Sequence, residues 1–196
     1  MTQTSAGGDQ SYFSGSSRQE TKSANLKLTS KATAMDYHLI VPKLYVGSYP
    51  GSVDDIQLLK RQGEITGVLN LQTDDDMRHF ELDWSSLVGH YTNFEIAVRR
   101  VPVRDFDPDN LRAKLPNCVS TLNELMQSNH TVYLHCSAGV GRSPTVAIAY
   151  LFWRCDWDLD RALAHVTQCR PCSPCMEAIY QAKARLEPPP KVKASR

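Results

Sequence analysis

The sequence predicts an α/β domain in which helices flank a central, mostly parallel sheet. Short apolar runs rich in β-branched or aromatic residues alternate with longer segments whose apolar residues recur at helical spacing. Such alternation is typical of parallel sheets, because each parallel strand pair needs a crossover connection. The 196 residues are 41% apolar and 22% charged, which is ordinary for one globular domain with tails.

The strand candidates are short apolar runs bounded by polar or turn-forming residues. Five segments fit this description: 37–41, 44–48, 65–72, 96–103 and 131–134.

Helix candidates lie between these strands and after the last of them. Ser52 is a candidate N-cap, with acidic residues in the first turn after it and Gly63 as the stop. Apolar spacing predicts further helices around 84–88, 111–126 and 159–166, one that begins at Ser143-Pro144, and a last one capped by Ser173-Pro174.

Two segments contain charge runs or proline. Thr73 and the acidic residues at 74–76 predict a polar loop that leads to His79 and Phe80, and Pro116 predicts the start of a helix or a kink in it. Residues 104–110 predict a second loop.

The two ends of the chain differ from its middle. Residues 1–34, rich in Ser, Thr and Gly and poor in acids, predict a disordered tail or a transit peptide. Residues 35–186 form the predicted folded domain, and 187–196, with three consecutive prolines, an extended tail.

Charge, hydropathy and cysteine content restrict the partners and the location. No apolar run is long enough for a membrane span, and a net charge of +1 gives no basic excess, so we expect neither a membrane nor a nucleic-acid partner. Six cysteines without a secretory leader predict a reducing, intracellular location.

The candidate chemistry centres on residues 131–147, where a strand, a glycine-containing loop and a helix N-terminus follow one another. The loop N–H groups and the helix dipole favour a bound anion. The same field favours a thiolate at Cys136, and the planar fork of Arg142 suits two phosphate oxygens. This combination indicates phosphoryl transfer through a phosphocysteine. The predicted phosphate-binding residues are Ser137, Ala138, Gly139, Val140, Gly141 and Arg142.

Cleavage of a phosphate ester also needs an acid for the leaving oxygen. The loop at 104–110 offers Asp105, Asp107 and Asp109, and the residues alone do not choose among them. Pro108 fixes the chain after Asp107, while Asp109 is a candidate helix cap.

The order His135-Cys136, five further residues, then Arg142-Ser143 resembles the signature of the cysteine-dependent tyrosine and dual-specificity phosphatases. The resemblance implies the dual-specificity phosphatase fold and a two-step hydrolysis of phosphate monoesters without metal or cofactor. It implies that Asp105 is the general acid and that His135 sets the loop through hydrogen bonds. Ser143 would stabilise the leaving thiolate, and its hydroxyl is also a candidate helix cap.

Further motifs resemble the plant glucan phosphatases, the starch-excess and like-starch-excess proteins, with laforin as a more distant relative. They are Arg-Asp-Phe-Asp-Pro at 104–108, Leu-Pro at 115–116, Phe-Trp at 152–153 and Arg-Pro-Cys at 170–172. The resemblance implies a phosphorylated, starch-like glucan as substrate and a plastid location, with the cytoplasm as the alternative, and we expect a monomer. Aromatic contacts to glucan are expected from Phe106, Phe80 and Tyr37.

One position keeps a second function open. The plant relatives typically have Ala-Pro at this position. This chain instead has Ser143-Pro144, as ordinary dual-specificity enzymes do. The alternative is therefore a protein phosphatase acting on phosphotyrosine and phosphoserine/threonine.

The cysteines at 169, 172 and 175 raise a zinc hypothesis. Tetrahedral zinc needs four ligands, and the only nearby candidate for the fourth is His165, four residues before Cys169. We therefore predict no metal site.

Overall fold

The computed structural model describes residues 35–182 and has the predicted α/β architecture. Within this range the strands are β1 (Tyr37–Val41), β2 (Leu44–Gly47), β3 (Gly67–Asn70), β4 (Ala97–Arg100) and β5 (Val132–His135). The helices are α1 (Val53–Gln62), α2 (Asp74–His79), α3 (Trp84–Asn93), α4 (Pro108–Gln127), α5 (Arg142–Arg154), α6 (Leu159–Cys169) and α7 (Met176–Gln181). The tails predicted at 1–34 and 187–196 lie outside the described residues.

The five strands form one sheet in the order β1-β2-β5-β3-β4. Only the β1–β2 pair is antiparallel, and the other three pairs are parallel, so the predicted mostly parallel sheet is confirmed. The carboxyl ends of β3, β4 and β5 therefore meet at one edge, where open α/β sheets bind ligands. The loops after these strands lead to α2, α4 and α5.

The alternation of side chains along β5 produces two cores, one on each face of the sheet. Val132 and Leu134 face the larger core, which α4, α5, α6 and α7 cover. Tyr133 points to the opposite face, where α1 and α3 contribute their buried residues. All four residues of β5 are buried, as expected for the central strand of a sheet covered on both faces. Among residues 35–182 no helix has the length and hydropathy that crossing a membrane requires.

Two local predictions were wrong, and one of the two alternatives given for Pro116, a helix start, is excluded. The acidic run at 74–76 forms the start of α2, because Thr73 caps this helix and Asp76 bonds back to the Thr73 N–H in a capping box. Pro116 does not start a helix, since it lies inside α4. The N-cap of α7 is Cys175, without a side-chain hydrogen bond, so Ser173-Pro174 does not cap it.

Candidate active site

The candidate nucleophile sits at the base of a loop between β5 and α5. Cys136 is 2% exposed, and its sulfur accepts a hydrogen bond of 3.3 Å from the Gly139 N–H. Gly139 has φ +71°, and a Cβ at this position would collide with the backbone of Gly47. Only glycine fits this turn, which aims a loop N–H at the sulfur.

Ser143 contacts the same sulfur. Its Oγ lies 3.3 Å from Cys136 Sγ, and the residue is fully buried. The alternative capping role is not observed, because the N-cap of α5 is Gly141 and has no side-chain hydrogen bond. The hydroxyl is therefore within hydrogen-bonding distance of the Cys136 sulfur.

His135 fixes the backbone at the start of the loop. Its Nδ1–H donates to the Cys136 carbonyl at 3.1 Å, and the ring stacks on Tyr133 at 5.5 Å. Burial lowers the pKa of His135 to about 4, and this outweighs the hydrogen bond to Cys136, which acts in the opposite direction. The imidazole is thus neutral near pH 7, and its contact agrees with the loop-setting role implied by the family resemblance.

Arg142 connects the loop to two neighbouring segments. The residue is 3% exposed, and its Nη1 donates to the Val103 carbonyl at 2.8 Å. Its Nη2 donates to Asp105 Oδ2 at 2.9 Å and to Ser137 Oγ at 3.1 Å. The structure therefore brings Arg142 and Asp105 together, 37 residues apart in the chain.

The loop at 104–110 distinguishes its three aspartates. Asp107 caps α4 by accepting from the Asn110 N–H at 2.8 Å and also pairs with Arg104 at 3.1 Å. Asp109, the predicted cap, is instead an exposed residue paired with Arg112 at 3.0 Å. Asp105 alone among the three reaches Arg142 in the described structure.

Asp76 was missed by the sequence analysis. Its Oδ2 and Oδ1 accept from Nη1 and Nη2 of Arg142 at 2.8 and 3.3 Å. Burial alone would raise the pKa of Asp76, but hydrogen bonds from Arg142 and Thr73 lower it below its ordinary value. The capping-box spacing from Thr73 was the available signal, although it predicts a helix start and not a contact with Arg142.

A second buried arginine braces the loop from the other side. Arg170 is 1% exposed, donates to the carbonyls of Val46 and Ala138 at 2.9 and 3.5 Å, and pairs with Asp36 at 3.1 Å. The Ser173 N–H adds a bond of 2.9 Å to the Val140 carbonyl. The motif at 170–172 was used only as a family resemblance, and the structure gives it this physical role.

Two cavities open at this edge of the sheet, and the segment 104–106 lines both. The first, which we call the rim cavity, has a volume of about 560 Å³ and is also lined by His79, Phe80 and Ser137. The second, the thiol cavity, has about 540 Å³ and includes Cys136, Arg142, Val140 and Cys175. A ligand bonded to Cys136 would thus lie in the thiol cavity, which shares the segment 104–106 with the rim cavity.

The three predicted glucan-contacting aromatics have different positions. Phe106 is 98% exposed and lines both cavities, while Phe80 lines the rim cavity and packs on Tyr49 at 4.5 Å. Tyr37 does not line either cavity: its ring meets Tyr133 edge-on at 6.0 Å and packs on the smaller core. Tyr37 is half-buried on strand β1, and its expected contact with glucan stays a prediction.

All six cysteines lie within the described residues, and none forms a disulfide. Of the cysteines considered for zinc, Cys169 has its sulfur 3.6 Å from Nε2 of His165. That nitrogen also lies 2.6 Å from the Ile40 carbonyl, the shorter of its two contacts.

Residues 44–183 match the family described as the catalytic domain of dual specificity phosphatases. The chain belongs to this family. The match covers β2 to α7 and includes Cys136, Arg142 and Asp105. Solved structures support the dual-specificity phosphatase fold. Tk-PTP in its active form aligns with TM-score 0.63 and 23% identity over 76% of this chain and 97% of that one. PTPMT1 aligns with TM-score 0.61 and 20% identity, covering 76% and 92%.

Three curated relatives of this dual-specificity phosphatase confirm the resemblance to the glucan phosphatases. Phosphoglucan phosphatase LSF1, chloroplastic, from Arabidopsis thaliana is 35% identical over 77% of this chain and 25% of its own length. Phosphoglucan phosphatase DSP4, amyloplastic, from Castanea sativa is 34% identical over 78% and 41%. Laforin from Mus musculus is 29% identical over 70% and 45%. The chain thus spans a quarter to less than half of these relatives.

Proposed function

We propose that this dual-specificity phosphatase hydrolyses phosphate monoesters on a starch-like polyglucan through a phosphocysteine at Cys136. The observation that carries the chemistry is the convergence on one buried sulfur of the Gly139 N–H and the Ser143 hydroxyl, each at 3.3 Å, beside Arg142. Donors fixed around a site of developing charge are the usual means of catalysing phosphoryl transfer.

In the first step the Cys136 thiolate attacks phosphorus, and the bond from phosphorus to the glucosyl oxygen breaks. Protonated Asp105 gives its proton to that oxygen, so a sugar hydroxyl leaves. The phosphoryl oxygens rest on the N–H groups of residues 137–142 and on the Arg142 guanidinium. The 2.9 Å contact between Asp105 and Arg142 must open for this, because phosphate and Asp105 use the same Nη2 donor.

In the second step Asp105, now a carboxylate, takes a proton from water as the water oxygen attacks phosphorus. The sulfur–phosphorus bond breaks, inorganic phosphate forms, and the electron pair returns to Cys136 as a thiolate. Ser143 donates its hydroxyl to the departing sulfur, from which its oxygen is 3.3 Å away. No metal takes part in either step, so activity should persist in EDTA.

Two observations support glucan as the substrate. Two curated relatives are named phosphoglucan phosphatases, and Phe106 and Phe80 present aromatic rings at the cavities beside Cys136. Sugar rings pack their C–H faces on aromatic rings, so these residues suit a glucan chain. The chloroplastic and amyloplastic names of those relatives support a plastid location. We still expect the protein to be a monomer and to bind no nucleic acid.

A protein phosphatase remains the second candidate for a specific reason. Dual specificity protein phosphatase 16 from Homo sapiens is 40% identical over 37% of this chain. Ser143, where the glucan enzymes were expected to have alanine, also favours this alternative.

The test of the chemistry is Cys136→Ser. We expect turnover of para-nitrophenyl phosphate to be abolished, while tungstate, an oxyanion analogue of phosphate, still binds, because Arg142 and the loop N–H groups remain. Steady-state kinetics and calorimetry measure the two properties. Turnover retained by Cys136→Ser would contradict the phosphocysteine mechanism.

A further inference from the structure

Asp76 forms a bidentate salt bridge with the two terminal nitrogens of the Arg142 guanidinium. Its two oxygens face the two terminal nitrogens, with Oδ2 at 2.8 Å from Nη1 and Oδ1 at 3.3 Å from Nη2. The pair is largely removed from water, since the Arg142 side chain is 3% exposed and that of Asp76 is 13% exposed. Ion pairs of this two-pronged kind fix the plane of the guanidinium as well as its position.

This salt bridge leaves a second edge of the Arg142 guanidinium available to bind a ligand. A guanidinium presents two flat edges with paired donors: one carries Nη1 and Nη2, and the other carries Nε and Nη2. Asp76 takes the first edge. The Nε–H, which belongs to the second edge, is buried and has no hydrogen-bond partner among residues 35–182.

Asp76 is itself held from behind. Its Oδ2 accepts from the Thr73 N–H at 2.8 Å and from the Thr73 hydroxyl at 2.9 Å, as part of the box that caps α2. Its Oδ1 accepts from Ser137 Oγ at 3.2 Å. The carboxylate therefore links α2, which follows β3, with the loop that follows β5.

We propose that Asp76 is the positioning residue of Arg142: it holds the Nη1/Nη2 edge so that the Nε/Nη2 edge faces the phosphoryl group. The inference rests on the proposed phosphatase function. Asp76 is not a catalytic residue, because it acts through Arg142, and its other contacts, to Thr73 and Ser137, hold the carboxylate in place.

The two carboxylates on Arg142 thus have different fates when phosphate arrives. Asp105 accepts from Nη2, which belongs to the second edge. It therefore gives up this donor to phosphate and serves as the acid. Asp76 stays in place as an anion, in keeping with its lowered pKa.

A double-mutant cycle tests this role. Asp76→Asn should weaken tungstate binding and lower kcat/KM for para-nitrophenyl phosphate by about tenfold or more, because the guanidinium loses its fixed plane. In an Arg142→Lys background, where no planar fork is left to orient, the same substitution should weaken tungstate binding by less than about twofold. A role in folding alone would give equal losses in both backgrounds and would overturn the proposal.

Thr73→Ala is the matched control. It removes the hydroxyl of the same capping box but leaves every contact between Asp76 and Arg142, so tungstate binding should change far less than in Asp76→Asn. An equal loss in Thr73→Ala would mean that the stability of α2, and not the salt bridge to Arg142, is responsible. Failure of the unmodified protein to bind tungstate would contradict the proposed function itself.

Discussion

At the scale of single residues, neighbouring aspartates have separate roles set by what each one touches. Asp105 lies 2.9 Å from Arg142, whereas Asp107 accepts from the Asn110 N–H and starts α4. Asp107 is two positions away from Asp105, yet its carboxylate serves the helix. The two residues therefore form a matched pair for separating chemistry from stability.

Asp105→Ala should slow hydrolysis of sugar phosphates by about a hundredfold and of aryl phosphates much less, because an aryl oxide leaves with little protonation. Asp107→Ala should lower the free energy of unfolding by about 1 kcal/mol through the lost cap, with equal effects on both substrates. Kinetics on a glucose phosphate and on para-nitrophenyl phosphate, with denaturant titrations, measure this. If Asp107→Ala shows the leaving-group selectivity, the assignment of the acid is wrong.

At the scale of elements, the site is assembled by the connections that follow β3, β4 and β5. Each leaves the same edge of the sheet: α2 brings Asp76, the segment before α4 brings Asp105 and Phe106, and the loop before α5 brings Cys136. The segment before α4 lines both cavities, so we expect it to discriminate between large and small substrates.

Phe106→Ala should lower activity on phosphoglucan about five- to tenfold, because a stacking contact of about 1 kcal/mol is lost. A small aryl phosphate fills only part of the two cavities that Phe106 lines, so its rate should fall much less. Phe106 is 98% exposed, so its truncation removes no buried contact from the core. Tyr180→Ala removes another exposed aromatic, on α7, and should affect neither substrate. Equal losses of Phe106→Ala on both substrates would contradict a glucan contact.

How far the sequence reached depends on whether contacts are local. Four site residues lie in the short stretch 136–143: Cys136, Gly139, Arg142 and Ser143. Their spacing therefore predicts that they converge. Asp76 lies 66 residues before Arg142, and no local pattern links the two.

One element misled the sequence analysis for a physical reason, and the direction of one side chain could not be predicted. The α2 helix has six residues with Met77 as its buried residue, so its acidic run resembles a solvated loop. For Tyr37 the strand was predicted correctly, but the face to which its ring points depends on how β1 pairs with β2.

At the scale of the whole molecule, the site and the stability of the fold share a buried histidine. The pKa of His135 is lowered by burial from 6.5 to about 4. Between these values the unfolded chain binds a proton that the folded protein does not, so the free energy of unfolding falls as pH decreases. The contribution is complete above about pH 6.5 and is lost progressively towards pH 4.

We expect this residue to remove about 2 kcal/mol of stability between pH 7 and pH 5. His135→Asn, which retains a donor for the Cys136 carbonyl but does not titrate there, should show a correspondingly weaker pH dependence. Urea unfolding of both proteins at the two pH values gives the difference. Identical slopes would show that His135 is not buried in its neutral form.

The central claim is tested most directly by phosphate release from solubilised phosphoglucan, compared with a panel of phosphotyrosine and phosphoserine/threonine peptides. Cys136→Ser serves as the blank for both substrates. We predict efficient release of inorganic phosphate from the glucan, undiminished by EDTA, and weak activity on the peptides. Rapid hydrolysis of the peptides with no release from the glucan would contradict the account and would favour a protein phosphatase.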